Sequence, residues 1–213
     1  MNLWKTPTIH NRMWLGFLFL VIGMIWFLGP RVTLDEKIQP IQLPEDLDQY
    51  LDQSESRFNN IREGLKKEIL WNDPKKKQQT ELSVIYLHGF SASRLEISPV
   101  PEDMSLKLEA NLFMTRLSGH GRTGKDLGES SANEWLQDAL EALEIGKRIG
   151  KKVVLMGTST GGTLVLWLAL KYAKAPIHAL ILISPNLGLK DPRSIVTRFP
   201  WPRFFVSLFV GKE

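Results

Sequence analysis

A serine lies between two glycines in the sequence GTSTG, residues 157–161. An apolar run rich in β-branched residues, 152–157, leads directly into it, and an apolar segment of helical character follows at once. Such a strand, turn and helix is typical of a nucleophile elbow, in which a tight and strained turn projects a serine hydroxyl. Gly157 and Gly161 supply the room that the turn needs. The pattern predicts that Ser159 attacks the carbonyl carbon of an acyl group.

Two backbone amides are predicted to stabilise the negative charge that forms on the carbonyl oxygen. The serine would stand at the start of the following helix, so the helix dipole and the amide of Thr160 would point at this oxyanion. The second amide is expected in the sequence His88, Gly89 and Phe90, which closes the apolar run 82–87. There Gly89 would let the backbone turn close to the substrate, and the amide of Phe90 would donate to the oxyanion.

Strands and helices alternate in the part of the chain that holds these residues. Two apolar runs, 66–71 and 82–90, flank a polar, turn-rich insert and suggest an antiparallel hairpin. Strand-helix units with nearly continuous apolar strands form a parallel sheet that is covered on both faces. We therefore predict an α/β fold with a doubly wound, mostly parallel sheet. Further strands are predicted at 111–117, 152–157 and 177–184, and helices at 132–150 and 161–173.

The strings YLHGF, RLSGHGRTG, NEWLQDALEAL and VVLMGTSTGGTL follow one another within residues 65–185. In this order they resemble the α/β-hydrolase superfamily, most of all its bacterial esterase, monoacylglycerol-lipase-like and serine-aminopeptidase-like members. The resemblance implies a triad of Ser, acid and His that hydrolyses an ester, amide or similar acyl bond. Such a reaction needs no metal and no organic cofactor.

Two histidines upstream of the serine are candidates for supporting roles. His88 is interpreted as a structural residue that bonds across loops beneath the oxyanion turn, with direct catalysis as the alternative. His120 would end another strand at the same edge of the sheet and shape the mouth of the site. In this fold the general base follows the nucleophile in chain order, so neither histidine is expected to be the base.

The sequence after Ser159 lacks a well-placed base. Its only histidine, His178, would open a strand and lie at the opposite end of the sheet, roughly 20 Å from the nucleophile. Its only acids are Asp191 and Glu213, and Asp191 could orient a histidine as the acid does in some lipase-type members. We therefore expect a fold that is incomplete at the C-terminus, with the base and the acid beyond Glu213.

Residues 187–213 resemble the start of the cap that family members insert after this strand. Because specificity resides in the cap, the sequence does not distinguish a lipid ester, a small ester or a peptide as substrate. The aromatic residues of this segment would either line a roof over the acyl chain or pack the cap itself; they are Phe199, Trp201, Phe204, Phe205 and Phe209.

An uncharged stretch, residues 13–30, lies between Arg12 and Arg31 and follows a short tail, residues 1–12. As a helix it would measure roughly 27 Å, enough to cross a thin bilayer. We predict an uncleaved, single-pass transmembrane anchor in contact with membrane lipid; a cleaved signal peptide and a buried core helix are the alternatives. The slight excess of positive charge before the stretch favours a catalytic domain on the extracytoplasmic, periplasmic side.

Residues 31–65 connect this anchor to the predicted hydrolase core, residues 66–186. Apolar residues from 42 to 65 recur at near-helical spacing, and acidic residues crowd the start of that segment. We predict an amphipathic helical linker that packs on its own core, with binding to a partner as the alternative.

Composition excludes several other classes of function. The net charge of +4 comes from scattered Lys and Arg residues, and no basic block indicates nucleic acid as a partner. The absence of cysteine excludes disulfides, thiolate metal sites and a Cys nucleophile. The prediction is a serine hydrolase that acts on a small-molecule acyl substrate. The alternatives are a non-catalytic or truncated hydrolase-like module and an acyl-chain-binding protein at the membrane; oligomeric state is not indicated.

Overall fold

The computed structural model describes residues 9–29 and 38–188, which belong to two compact units. One unit contains the helix α1 (Ile9–Leu28). The other contains the remaining helices and strands. In chain order these are α2 (Leu47–Glu55), β1 (Glu68–Leu70), β2 (Thr80–Leu87), α3 (Val100–Lys107), β3 (Asn111–Met114), α4 (Gly124–Glu129), α5 (Ala132–Ile149), β4 (Gly150–Thr158), α6 (Thr160–Lys171) and β5 (Ile177–Ile183).

The strands form one sheet in the order β1-β3-β2-β4-β5. The pairs β2–β3, β2–β4 and β4–β5 are parallel, and only β1 runs antiparallel to its neighbour among the described strands. The predicted mostly parallel sheet is thereby confirmed. Parallel strands joined by helices place their C-terminal ends at the same edge, so the residues after β2 and β4 come together there.

Helices cover both faces of the sheet. Alternate residues of β2 point to opposite faces: Ile85 packs in a cluster with residues of α2, α5 and α6, whereas Tyr86 packs in a second cluster against which Met104 of α3 lies. The helix α5 begins with a reciprocal capping box between Ser131 and Glu134, which fixes where its apolar face starts. This two-sided burial is why β2 and β4 are apolar along most of their length.

The predicted hairpin is wrong, because β1 does not pair with β2. Instead β1 is antiparallel to β3, with Ile69 opposite Phe113, and β3 lies between β1 and β2. The two apolar runs are close in sequence, yet β2 is buried on both sides by parallel partners. The short strand β1 therefore occupies the edge of the sheet, where only one neighbour is needed.

The predicted transmembrane anchor is also wrong. Within the described residues, no helix combines the length and the apolar character needed to cross a membrane. The apolar part of α1, residues 13–28, measures about 24 Å at about 1.5 Å per residue, which is less than the roughly 30 Å of a hydrocarbon core. The expected contact with membrane lipid and the extracytoplasmic location, which both rested on that anchor, are corrected accordingly.

The segment before the sheet contains a shorter helix than its apolar spacing predicts. The helix α2 covers nine residues and ends at Glu55, and the chain turns at Gly64 with a φ of 74°. Leu47 and Leu51 are buried in the core cluster. The hydroxyl of Tyr50 donates to Glu141 at 2.7 Å, which attaches α2 to α5. Together these contacts pack α2 on the core.

Candidate active site

Ser159 lies in the turn between β4 and α6. Its φ of 49° and ψ of −113° place a non-glycine residue in a strained backbone conformation, which costs of order 1–3 kcal/mol and needs support from its surroundings. The support comes from the end of β5 and the residues that follow it. The amide of Ser159 donates to the carbonyl of Ile183 at 2.9 Å, and its carbonyl accepts from the amide of Asn186 at 3.0 Å. Both backbone groups of the serine are therefore fixed.

The glycines beside the serine are enclosed by backbone atoms. A Cβ atom on Gly157 would lie 2.5 Å from the carbonyl carbon of Gly161. A Cβ atom on Gly161 would collide with the carbonyl oxygen of Leu87 and lie 2.7 Å from that of His88. Real Cβ atoms do not approach backbone so closely, so no side chain fits at either position. The turn at the end of β4 is thus packed directly against the end of β2.

The loop after β2 lies beside the serine. A Cβ atom on Gly89 would be 3.4 Å from the Cβ of Ser159. The amide of Gly89 donates to Glu96 Oε2 at 2.9 Å, and the amide of Ser91 donates to His120 Nε2 at 3.1 Å. Between them, the amide of Phe90 donates to no acceptor among the residues that the structure describes. This amide is therefore available to a ligand.

Thr160 is the first residue of α6. Its amide has no acceptor within the helix, as is true of the first amides of every α-helix, and the positive end of the helix dipole lies at the same place. The structure thus brings two available amides, those of Phe90 and Thr160, to the two sides of Ser159. Their roles as oxyanion donors stay predictions.

His88 is fully buried beneath this loop. Its Nε2 accepts from the amide of Leu117 at 3.1 Å, so the ring proton resides on Nδ1, which lies 2.9 Å from the carbonyl oxygen of Gly89. Burial lowers the pKa of His88 to about 4, and the ring is neutral at physiological pH. Both ring nitrogens are occupied, which leaves none for proton transfer.

His120 supports the loop from below. Its Nε2 accepts from Ser91, and its Nδ1 lies 3.1 Å from the carbonyl oxygen of Ser118. Burial lowers the pKa of this imidazole as well. Its ring contacts those of Phe90 and Trp135 edge-on, at centroid distances of 6.0 and 5.5 Å. These ring contacts pack His120 and Trp135 against Phe90, whose amide is the available one.

Glu96 is a residue of this site that the sequence patterns miss. Its Oε2 accepts from the amide of Gly89 and from the hydroxyl of Tyr86, the latter at 3.0 Å. The same hydroxyl lies 3.1 Å from Oγ1 of Thr158, the residue before Ser159. The only signal in the sequence is an acid seven residues after Gly89, and this spacing belongs to no motif.

The other candidates are distant from Ser159 or lie outside the description. His178 is the second residue of β5, at the end of that strand opposite to the nucleophile. Asp191 and the five aromatic residues between 199 and 209 lie outside the described residues. In the described parts of the chain, no group of three or more His, Asp and Glu side chains is placed to hold a metal ion; that the reaction needs no cofactor stays a prediction.

Asp138 of α5 holds the loop of His120 by accepting from the amide of Ser118 at 2.6 Å. Burial raises the pKa of Asp138 to about 6, although the positive charge of Lys67 opposes the shift. The folded protein therefore binds a proton on this carboxyl at about pH 6, whereas the unfolded chain binds it only near about pH 4. Protonation of Asp138 stabilises the fold as the pH falls through this window, and the gain is lost as the pH rises through it.

Replacing Asp138 by asparagine should remove this gain. Relative to the unmodified protein, the free energy of unfolding of Asp138→Asn is expected to fall by up to about 1.4 kcal/mol per pH unit between pH 6 and 4. Urea denaturation at pH 4, 5, 6 and 7 measures the difference. If the free energies of unfolding of the two proteins changed in parallel with pH over this range, the carboxyl of Asp138 would take up no proton on folding.

The order of the strands and a strained serine between β4 and α6 define an α/β hydrolase. Residues 78–210 match the model of the Hydrolase_4 family, described as serine aminopeptidase, S33. This chain belongs to that family of hydrolase enzymes, and the predicted membership of the α/β-hydrolase superfamily is confirmed.

Individual relatives are more distant. A thermostable monoacylglycerol lipase from Bacillus sp. (strain H-257) is 28% identical over 88 residues, which are 41% of this chain and 35% of the lipase. A structure of the metagenome-derived lipolytic enzymes LipS and LipT is similar with a TM-score of 0.56 and 20% identity, over 64% of this chain and 52% of that chain. At this identity the structural likeness concerns the fold alone. The chain spans about half or less of the length of these relatives.

Proposed function

We propose that this chain carries the nucleophile and the oxyanion site of a serine hydrolase that cleaves an ester or amide bond. The observation that carries the proposal is the state of three consecutive amides beside Ser159. Those of Gly89 and Ser91 are held by side chains, whereas that of Phe90 is left without an acceptor among the described residues. A loop in which side chains bind two amides and leave the one between them without an acceptor is suited to receive a negatively charged oxygen.

The proposed reaction begins with attack of Ser159 Oγ on the carbonyl carbon of the substrate. The new C–O bond forms as the Oγ proton passes to a general base, and the carbonyl electron pair moves to the oxygen. The amides of Phe90 and Thr160 donate to this oxyanion. Its collapse expels the leaving group with a proton and forms an acyl-serine ester, which water then hydrolyses. Neither His88 nor His120 supplies the base, because their ring nitrogens are occupied.

The match to lipases supports an ester of small-molecule size as the substrate class. The thermostable relative is by name a monoacylglycerol lipase. Exposed apolar residues in the segments next to the serine agree with an acyl group: Phe90 is 56% exposed and Leu187, which follows β5, is 71% exposed. Exposed apolar surface of this kind commonly marks a binding site.

The second candidate function is that of an acyl-binding module that does not catalyse hydrolysis. It is favoured by the same exposed side chains together with the occupied nitrogens of both histidines at this edge of the sheet. In such a module Ser159 would be a weak nucleophile, because a serine hydroxyl needs a base to become reactive.

Reaction with a fluorophosphonate probe separates the two candidates. We expect the hydrolase with its general base present to be labelled at Ser159, as identified by peptide mass spectrometry, and Ser159→Ala in the same protein to lose all labelling. Ser184→Ala is a matched control, because Ser184 also ends a strand with a positive φ, of 46°, and its replacement should leave labelling intact. If Ser159→Ala were labelled as strongly as the parent, Ser159 would not be the nucleophile. An unlabelled parent would favour the binding module.

A further inference from the structure

The carboxylate of Glu96 lies where the loop after β2 meets the turn after β4. A Cβ atom on Gly89 would be 2.9 Å from Glu96 Oε1 and 3.4 Å from the Cβ of Ser159. The carboxylate and Ser159 thus both border the space beside Gly89. The resemblance to known hydrolases gives Glu96 no role, and the proposed reaction does not use it as a reactant.

The hydrogen bonds around Glu96 run in one direction. A carboxylate only accepts, so the hydroxyl of Tyr86 must donate its single proton to Glu96. The hydroxyl of Thr158, 3.1 Å from that of Tyr86, must then be the donor to Tyr86. Burial raises the pKa of the Tyr86 phenol, which keeps its proton in place. The charge of Glu96 thereby binds the residue before the nucleophile through one intermediate hydroxyl.

The same carboxylate oxygen also accepts from the amide of Gly89 at 2.9 Å. Hydrogen bonds to a charged acceptor are about twice as strong as bonds between neutral groups. Glu96 therefore links two segments: the loop that carries the Phe90 amide and, through Tyr86, the end of β4 that leads into Ser159. It also occupies the Gly89 amide, which leaves the next amide as the donor beside the serine.

We propose that Glu96 is a positioning residue of the hydrolase reaction, which fixes the distance between the Phe90 amide and Ser159 by binding Gly89 and, through Tyr86, Thr158. The inference rests on the proposed function. In this role Glu96 accepts hydrogen bonds through Oε2 and exchanges no proton with the substrate. Such a role predicts that a neutral side chain of the same shape can replace Glu96, whereas a truncated one cannot.

Two substitutions of Glu96 and one control test this role by the kinetics of fluorophosphonate labelling at Ser159. In Glu96→Ala we expect the maximal labelling rate (kinact) to fall about 10- to 100-fold, because small misplacement of a catalytic group is costly. The half-saturating probe concentration (KI) should stay within about 3-fold, since the exposed surface that binds the probe is unchanged. In Glu96→Gln both constants should stay close to those of the parent, because the amide oxygen, placed where Oε2 lies, can accept from both the Gly89 amide and the Tyr86 hydroxyl.

Glu102→Ala is the matched control. Its carboxylate accepts from the hydroxyl of Ser98 at 2.7 Å, and its removal takes away a carboxylate near Tyr86 without touching the amide of Gly89. We expect the labelling constants of Glu102→Ala to equal those of the parent. A parent-like kinact in Glu96→Ala, a Glu96→Gln as slow as Glu96→Ala, or an effect on KI alone would each overturn the proposal.

Hydrogen exchange of the Gly89 amide separates failure of this inference from failure of the proposed function. Glu96→Ala should exchange this amide at least about 10-fold faster, whereas the amide of Ser91, which His120 holds, should be unaffected. If the parent chain is not labelled by the probe, the proposed function fails, and the exchange rate still tests the contact. Unchanged exchange at Gly89 would overturn the positioning role even if labelling were slow.

Discussion

Replacing Glu55 by alanine is expected to destabilise the protein by about 3–5 kcal/mol. Glu55 at the end of α2 binds the guanidinium of Arg116 with both carboxylate oxygens at 2.7 Å, and the two side chains are only 1% and 4% exposed. Burial by itself would raise the pKa of Glu55, but the hydrogen bonds and charge of Arg116 hold it below its ordinary value. Removing the carboxylate would leave a buried positive charge with its planar donors unsatisfied.

The consequences should extend beyond the pair itself. Arg116 also donates to the carbonyl oxygen of His120 at 3.1 Å, and His120 holds the amide of Ser91 in the loop beside the nucleophile. A reoriented guanidinium would therefore disturb the support of the site. We expect slower probe labelling of Ser159 in Glu55→Ala at temperatures where the variant is still folded.

Urea denaturation of four proteins measures the effect of this pair. The double variant Glu55→Leu, Arg116→Met should recover most of the lost stability, because apolar side chains of similar volume often replace a buried ion pair without cost. Glu129→Ala is the control for a surface ion pair: Glu129 lies 3.8 Å from Lys125 with both side chains well exposed, so its loss should change little. A Glu55→Ala variant within about 1 kcal/mol of the parent would contradict the expectation.

Replacing Gly161 by alanine is expected to cost about 3 kcal/mol or more and to slow labelling of Ser159 by about 100-fold. The added Cβ would collide with the carbonyl oxygen of Leu87 and lie 2.6 Å from its carbonyl carbon. These are backbone atoms of the central strand β2, which cannot turn aside as a flexible side chain can. Either β2 or the start of α6 must move, and the two amides proposed as oxyanion donors follow those two segments.

Gly124→Ala is the matched control for this substitution. Gly124 is the first residue of α4, and a Cβ atom there would meet nothing within 4 Å. Alanine should be neutral or slightly stabilising at this position, by up to about 1 kcal/mol. The two variants are compared by thermal unfolding and by the rate of probe labelling at pH 7. A Gly161→Ala protein that is labelled at the parent rate would show that the elbow tolerates a side chain.

The sequence alone determined the central part of the fold, because there local pattern and burial agree. The apolar strand, the turn GTSTG and the helix behind it appear in the structure as β4, Ser159 and α6, within two residues of the predicted limits. The glycines of that turn are required by close backbone contacts, and such contacts leave a clear mark in the sequence. The same holds for α5, whose apolar face follows helical spacing from Ala132 to Ile149.

Tertiary structure decided the strand pairing and the helix lengths that local sequence pattern does not specify. The partner of β1 is β3 and not the nearer β2, because the pairing of a short edge strand depends on which neighbour is vacant after the parallel strands have assembled. The short length of α2, and the absence of a membrane-crossing helix among the described residues, likewise depart from patterns read along the chain. Hydrophobic spacing indicates a buried face but does not say what buries it.

The composition of the site divides in the same way. The proximity of Ser159, Thr160 and the loop from His88 to Phe90 was predictable, because a nucleophile elbow and an oxyanion loop, the roles proposed for them, need particular residues next to particular turns. Glu96 was not, because a carboxylate that accepts from one backbone amide and one tyrosine hydroxyl carries no sequence signature. Its partners Gly89 and Tyr86 are near it in the chain, but the onward contact from Tyr86 to Thr158 joins two strands about seventy residues apart, which only the assembled sheet brings together.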